Sequence, residues 1–528
     1  MGDTIQNYLG DKCFPELLKK YSVTDVVNHT GGKDFPDITF THGGIEYVID
    51  VKTQRENTKF NMPNITSLER IKKFYTNKKR VFLVLIVRYS VKNDKESEFY
   101  KRFGVKLKII QMDDFDGATS YFKEHKNALR FCTLDSYPVE ASQSGTMTDA
   151  RYFVIHNFSA GADAIVATKN IKTVADLKGK KIVCSEGTAS HSLLLNTLEA
   201  SGLSGKDVEI ITTGYGSDVA TAFKAGTADA AVVFCPDDAA CIKDGPAGTH
   251  VLVSTKQINT LVTDGFLAHE EWLVKNPEKA KKIAEALMWA NSEMSNPDTY
   301  KEICHVFAQE FDIPEEDVLT VTEKINFATL EDNINWFGLN TSYKGITGES
   351  LYTKMSQVYG NIKLAKATLP WRKVSETAII ESLMESNNLN NDQTAKGTAM
   401  RKFDAPTQKI KESESFSDKE VIIEFPVDGS RLDADAETII DREFLPVIRQ
   451  FNNTYVRIEG NTDNTGNYQH NVELSKTRAQ SVANYLIRQG VDKNRIIIEG
   501  NGPKNAIADG VSGSNQAYRT TSMKLIQD

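Results

Sequence analysis

A chain of 528 residues is too long for one hydrophobic core and must divide into several domains. With 40% apolar and 25% charged residues the composition is that of a soluble globular protein, which excludes wholesale disorder. A formal charge of −8 excludes a global pull toward nucleic acid or anionic membrane, so any nucleic-acid site must be local.

The chain opens Met1-Gly2-Asp3-Thr4-Ile5-Gln6, with no basic segment ahead of an apolar run. No secretory signal is therefore visible, and the chain reads as cytoplasmic at synthesis. A helix is expected over Phe14–Tyr21. Pro36–Phe40 and Tyr47–Gln54 flank a Gly43-Gly44 turn and predict a hairpin. Asp37 starts its first strand, while Asp50 and Lys52 share one face of the second by period-two alternation. Two carboxylates on adjacent strands can hold Mg²⁺ through oxygen, and a lysine can orient water for phosphodiester attack. The plain alternative is a surface hairpin with ordinary charged residues. Twelve cations from Lys19 to Arg80 give the segment a local basic character, and Val81–Val87 reads as a buried strand too short to span a bilayer.

The Asp37, Asp50 and Lys52 pattern resembles the PD-(D/E)xK nuclease family. The resemblance implies a nuclease-like α/β segment over residues 1–97, with Asp37, Asp50 and Lys52 catalytic, Asp37 and Asp50 holding Mg²⁺, Glu16 an accessory acid, and DNA as partner. The segment is short for a complete nuclease.

From about residue 98 to 372 short apolar strands alternate with amphipathic helices, the pattern of an α/β domain. Strands are expected at Val105–Gln111, Ala164–Thr168, Lys181–Ser185, Val208–Thr212 and Ala230–Phe234, and helices at Ser190–Ala200 and Ser217–Ala225. Glu186-Gly187-Thr188-Ala189-Ser190-His191 is a turn that opens a helix, leaving backbone N–H groups and hydroxyls to face a cleft. An ordinary N-cap explains the same residues equally well. The runs Ser159-x-Gly161-Ala162-Asp163, Ala175-Asp176-Leu177-Lys178-Gly179-Lys180-Lys181 and Phe223-Lys224-Ala225-Gly226-x-x-Asp229, with the helical run Pro277–Met294, resemble periplasmic substrate-binding proteins of the nitrate, sulfonate and taurine type. That resemblance implies two α/β lobes closing over a small anionic or zwitterionic solute. Asp135, Ser136, Thr188, Ser190 and the Cys235-Pro236-Asp237 turn would line the cleft, with His191 a first-turn helix residue. The family's opening strand and helix are missing. Either Arg80–Ser90 substitutes as a lobe strand or the cleft is incomplete.

Residues 373–417 are polar, most so at Glu385–Gln393 and Lys411–Ser415, and read as a tether between modules. The six cysteines show no CxxC and no Cys/His spacing, which argues against zinc.

The C-terminal region, residues 418–528, carries Gly460-Asn461-Thr462-Asp463-Asn464-Thr465-Gly466, then Asn471 and Leu474-Ser475-Lys476-Thr477-Arg478-Ala479. A glycine-bearing polar loop sets Asp463 ahead of a helix whose first turns present Arg478. One carboxylate and one guanidinium together suit a ligand with an ammonium and a carboxylate. The plain alternative is a capping acid and a solvated helix arginine. Strands are expected at Val421–Phe425, Tyr455–Glu459 and Arg495–Glu499, with helices at Ala434–Gln450 and Glu473–Gln489, an α/β sandwich. The motif resembles the OmpA-like peptidoglycan-binding domain, which implies that Asp463, Asn471 and Arg478 grip the free amino-acid end of diaminopimelate. Arg519, the one cation left in a closing segment that is richer in arginine in that family, is expected to bind peptidoglycan with them.

The chain thus reads as an α/β multidomain, non-enzymatic envelope protein that binds peptidoglycan and a small solute. It has no transmembrane segment and no cofactor for its binding domains. The alternatives are a Mg²⁺-dependent endonuclease of the N-terminal segment, or a phage or mobile-element recombinant in which a nuclease-derived piece replaced the export signal and the first lobe elements.

Overall fold

The computed structural model describes Ile110 and residues 115–528 apart from 145–148, 215, 312–313, 387–388, 390, 424, 426–428 and 528, together with four strands nearer the N-terminus. The chain divides into two compact units, residues 1–120 with 302–315, and residues 121–301 with 316–528.

In the first unit β1 (Thr24–Asn28), β2 (Ile38–His42), β3 (Ile45–Arg55) and β4 (Arg80–Tyr89) form a sheet in that order. The expected hairpin is there: β2 and β3 are antiparallel, with His42 opposite Ile45 across the Gly43-Gly44 turn. β4 runs parallel to β3, pairing Asp50 with Val84 and Lys52 with Ile86. Asp37, Glu16 and the expected strand at Val105–Ile109 lie outside the described residues. Arg80–Tyr89 does not serve as a lobe strand: its ladder is with β3.

The second unit holds two further sheets in its middle region. One contains β5 (Leu129–Thr133), β6 (Ala150–Ser159), β12 (Thr263–His269) and β13 (Ile325–Phe327), ordered β13-β6-β12-β5. The other contains β7 (Asp163–Ala167), β8 (Lys181–Cys184), β9 (Glu209–Thr212), β10 (Ala230–Phe234) and β11 (His250–Ser254), ordered β11-β7-β10-β8-β9. Ala230-Ala231-Val232-Val233-Phe234 is apolar on both faces because helices cover the sheet on both sides. Among them are α1 (Ala189–Glu199), α2 (Ser217–Lys224) and α3 (Asp237–Asp244). Val166, Val183, Val219, Phe223, Ala231 and Val233 pack one such layer.

The chain passes between these sheets twice, from β6 to β7 through residues 160–162 and from β11 back to β12 through residues 255–262. Thr255 staples the two crossings: its hydroxyl accepts the Gly161 N–H at 2.8 Å and bonds the Ser159 hydroxyl at 2.7 Å. Two sheets joined by such crossings make two lobes. The helices α4 (Pro277–Glu293), α5 (Leu330–Trp336), α6 (Gly348–Asn361) and α7 (Ala378–Ser386) follow. Pro277 suits the first turn of α4, where its missing N–H is not needed.

The described part of residues 373–417 is not a slack tether. It includes α7, buried at Ile379, Ile380 and Leu383, and then a coil that lies along α5. Asp332, fully buried on α5, takes the Lys396 N–H on one oxygen at 2.9 Å and the Thr398 N–H and hydroxyl on the other, each at 2.7 Å. The polar residues that suggested disorder order the segment, because side-chain oxygens satisfy backbone that would otherwise need water. Phe403 then enters the core of the next domain beside Tyr455, Ile497 and Ile526.

That C-terminal domain is a four-stranded sheet, β14 (Ser417–Val421), β17 (Thr521–Ile526), β15 (Tyr455–Asn461) and β16 (Ile496–Gly502), in that spatial order. Its helices are α8 (Ala434–Glu443), α9 (Leu445–Gln450) and α10 (Tyr468–Arg488). The first strand lies four residues earlier than expected, and the single helix expected over Ala434–Gln450 breaks at Phe444, with Pro446 in the first turn of α9. Helix α10 begins at Tyr468, five residues before the expected start, capped by Asn467, whose side chain accepts the His470 N–H. Arg478 accordingly sits in its third turn. The sequence reading had no strand for the last residues, yet β17 lies between β14 and β15.

The domain rests against the lobes. Phe416 O accepts the Val174 N–H at 2.8 Å, the Ser417 hydroxyl donates to Ala200 O at 2.7 Å, and Gln450 Nε2 donates to Asn196 Oδ1 at 2.7 Å. Lys354 of α6 reaches both Gln450 and, at 2.7 Å, Glu199.

Candidate functional site

The C-terminal motif is built where β15 ends. Gly460 and Gly500 are partners on β15 and β16, and α10 crosses directly over them. A Cβ on Gly460 would stand 2.1 Å from Ser475 O, and one on Gly500 would stand 2.7 Å from Val472 O. The two glycines therefore set how closely α10, with Asn471, Ser475 and Arg478, approaches the strand that delivers Asp463. Asp463 is 5% exposed. It accepts from Arg519 Nε at 2.8 Å and Nη2 at 2.7 Å, and from the Asn515 N–H at 3.1 Å. Burial alone would raise this carboxyl, but the hydrogen bonds from Arg519, Asn515 and Thr465 outweigh it and hold the group below the usual carboxylate range.

Asp463 is thus not a helix cap, and its partner in this structure is Arg519. Arg478 is 8% exposed; its Nε donates to Gly429 O at 3.0 Å and its guanidinium lies 5.0 Å from the Phe425 ring centre. It is not a solvated helix arginine. Asn471 donates to Thr465 O at 2.8 Å, fixing the loop that carries Asp463. Beneath the loop, Asn461, Asn501 and Asn505 share a hydrogen-bonded cluster, a support that the motif reading did not single out.

In the lobes, Asp135 follows β5, is fully buried, and among the described residues has no hydrogen-bond partner for either carboxylate oxygen. Burial pushes its carboxyl up to about 8; the Ser192 hydroxyl nearby opposes this, while Asp264 and Asp163 add to it. Asp264 on β12 pairs with Thr133 of β5 and Asn157 of β6. Burial raises Asp264 to about 7 and Asp163, at the start of β7, to about 6. The lobes therefore enclose a set of carboxyls of which the sequence reading named Asp135 alone. Asp163 stood inside a quoted motif; Asp264 gave no signal.

Ser136 is buried and bonds Thr133 hydroxyl to hydroxyl at 2.6 Å. The Thr188 hydroxyl donates to Ser185 O at 2.7 Å, and the Gly187 N–H to His191 Nδ1 at 3.2 Å, so both groups are engaged within their own turn. Ser190 is buried in the first turn of α1, whose leading N–H groups have no intrahelical partner. Burial lowers His191 to about 4, leaving it neutral, a first-turn helix residue as expected. At the Cys235-Pro236-Asp237 turn the ionic contact comes one residue later: Asp238 pairs with Lys324 at 2.6 Å. The described cysteines, at 132, 184, 235, 241 and 304, are buried thiols.

The OmpA family model matches residues 424–520, and the NMT1/THI5 like family model matches residues 93–299. A probable lipoprotein, YiaD, of Escherichia coli (strain K12) is 44% identical over 71 residues, 13% of this chain and 32% of that protein. A putative aliphatic sulfonates-binding protein of the same organism is 34% identical over 146 residues, 27% of this chain and 44% of the other. Its taurine-binding periplasmic protein is 28% identical over 171 residues, 32% of this chain and 52% of the other. The chain spans about a third to a half of the length of these curated relatives. It is a mixed α/β multidomain protein in which an OmpA-type domain follows a periplasmic-binding-protein-like one. Among the described residues no helix is long and apolar enough to cross a membrane.

Proposed function

We propose that this chain is a cell-envelope binding protein that grips peptidoglycan through its C-terminal domain and holds a small solute between its lobes. The observation that carries the reading is Asp463, a buried carboxylate kept charged at the mouth of an OmpA-type loop by an arginine that is itself 42% exposed. A ligand ammonium can take the place of the Arg519 guanidinium, while Arg478, braced by Gly429 and Phe425, receives the ligand carboxylate. Asn471 holds the loop. Diaminopimelate, with ammonium and carboxylate on one carbon, has that chemistry. Co-sedimentation with diaminopimelate-type sacculi, competed by free diaminopimelate, tests it; pelleting unchanged by Asp463→Ala would sink the assignment.

For the lobes, the carboxyls at Asp135, Asp163 and Asp264 favour a zwitterion over a bare anion, since an ammonium offsets their burial and a lone sulfonate adds to the repulsion. The anionic end would meet the first N–H groups of α1 beside Thr188 and Ser190. A thermal-shift comparison of an aminosulfonate with the matching alkanesulfonate decides between the two.

A second reading concerns the N-terminal sheet. Asp50 and Lys52 occupy alternate positions on β3, beside the strand that follows Asp37. That register suits a Mg²⁺-dependent nuclease, and Mg²⁺-dependent DNA cleavage that survives Asp50→Ala would dismiss these residues as its site.

A further inference from the structure

Where the C-terminal domain meets the lobes there is a cavity of about 60 Å³ whose charge is lopsided. Three stretches enclose it: the loop at residues 343–345, the end of the connecting segment at 400–403, and the C-terminal ends of α9 and α10 with the loop running to Arg495. Among the described residues four cations line it, Lys344, Arg401, Arg449 and Arg495, and one carboxylate, Asp492. That carboxylate is already committed, accepting the Asn494 N–H at 2.9 Å and the Phe403 N–H at 3.3 Å.

The arginines are crowded. Arg401 lies 4.5 Å and Arg495 lies 5.4 Å from the centre of the same Phe403 ring. Arg495 is 6% exposed, and its hydrogen bonds run to oxygens of Phe451 and Thr454. Arg449 donates to Gln489 O at 3.4 Å. Burial first, and Arg401 second, lower the Arg495 guanidinium to about 9, while Asp492 opposes them. The Asn452 side-chain oxygen is buried in the lining with no partner, and a half-turn of that amide would present N–H instead. Carbonyls fix the orientation of a guanidinium but do not neutralise it. An oxyanion would do both, and the volume admits one of about five water-sized atoms, given ~10–15 Å³ of such space per water.

We propose that this cavity is a binding site for a small oxyanion, phosphate, sulfate or carboxylate, held by Lys344, Arg401 and Arg449 over Arg495. The bound anion joins three segments that belong to the lobes, the connector and the wall-binding domain. The site is separate from both candidate ligand sites and does not depend on either.

Titration calorimetry of the full chain with inorganic phosphate, at ionic strength held constant with chloride, tests the proposal. Saturable binding is expected, weakened about tenfold by Arg449→Gln and again by Lys344→Gln, as loss of one charge-assisted contact each implies. Arg442→Gln, an exposed change on α8 outside the lining, should leave it intact. Sulfate and acetate arms distinguish a tetrahedral anion from a carboxylate. Arg495 is avoided as a probe because its burial makes misfolding the expected result. Lys344 is exposed, so that variant carries the test should Arg449→Gln fail to fold. No saturable heat with any of the three anions, or binding unchanged in the Lys344→Gln variant, overturns the proposal.

Discussion

Asp463 in the C-terminal domain and Asp135 between the lobes are both carboxylates with almost no exposure, and the fold treats them in opposite ways. Asp463 is met by Arg519, the Asn515 N–H and Thr465, and stays charged below the usual range. Among the described residues Asp135 has neither oxygen hydrogen-bonded, and burial lifts it to about 8. Burial therefore does not by itself set a side chain's state; the donors aimed at it do. Under the proposed function, the first acid would be held ready for a cation that displaces an existing one, and the second would stay a neutral acid until a ligand ammonium offsets the cost of ionising it.

The strongest way to break this contrast is Asp463→Ala, expected to cost wall affinity about 2 to 5 kcal/mol, as removal of one partner of a desolvated charge pair does. Sacculus co-sedimentation reads it. Next comes Asp135→Asn. The folded pKa of Asp135 is raised above its unfolded value, so the folded state keeps a proton that the unfolded chain releases, and stability falls as pH rises from about 4 to about 8. The asparagine variant should flatten that slope and gain on the order of 1 to 3 kcal/mol at pH 8, seen in denaturant melts at several pH values. Its solute affinity should drop at the same time. A slope that persists in the variant would place the titrating group elsewhere, Asp264 first.

For Asp463 the sign is reversed. Its folded pKa is depressed, so its contribution is present above the unfolded pKa and is lost as pH falls below about 4. Arg519→Gln should move that loss to higher pH and strengthen wall binding by about 1 kcal/mol, because it removes the partly solvent-screened cation that the ligand ammonium must displace. The smallest effect belongs to the domain contact: Gln450→Ala, which strands Asn196, should cost about 1 kcal/mol of stability and leave wall binding unchanged.

Local features of the fold were legible and distant ones were not. The runs at 164–168, 181–185, 208–212 and 230–234 each carry their own apolar pattern, and each is a strand within a residue or two of its expected limits. The Asp463 loop was legible because its glycines and polar residues lie in one short stretch. Asp264 was invisible because it joins Asp135 only through the β12–β5 ladder, which spans more than 130 residues of sequence. The pairing of Asp463 with Arg519 depends likewise on β17 passing between β14 and β15. Residues 373–417 misled for a different reason. Their composition reports how little apolar surface they offer, but not that Asp332 stands ready to accept three of their donors.

That arrangement at Asp332 has a mechanical side. If the C-terminal domain is fixed to the wall and the rest of the chain is pulled, the connector has no slack to pay out first. The load reaches the Lys396 and Thr398 bonds to Asp332 while they are still closed, and they share it with the contacts at Ala200, Asn196 and Val174. Several bonds strained at once resist more than the same bonds opened in turn. The lobes are then held at a set distance and angle from their anchor, like a bracket rather than a rope.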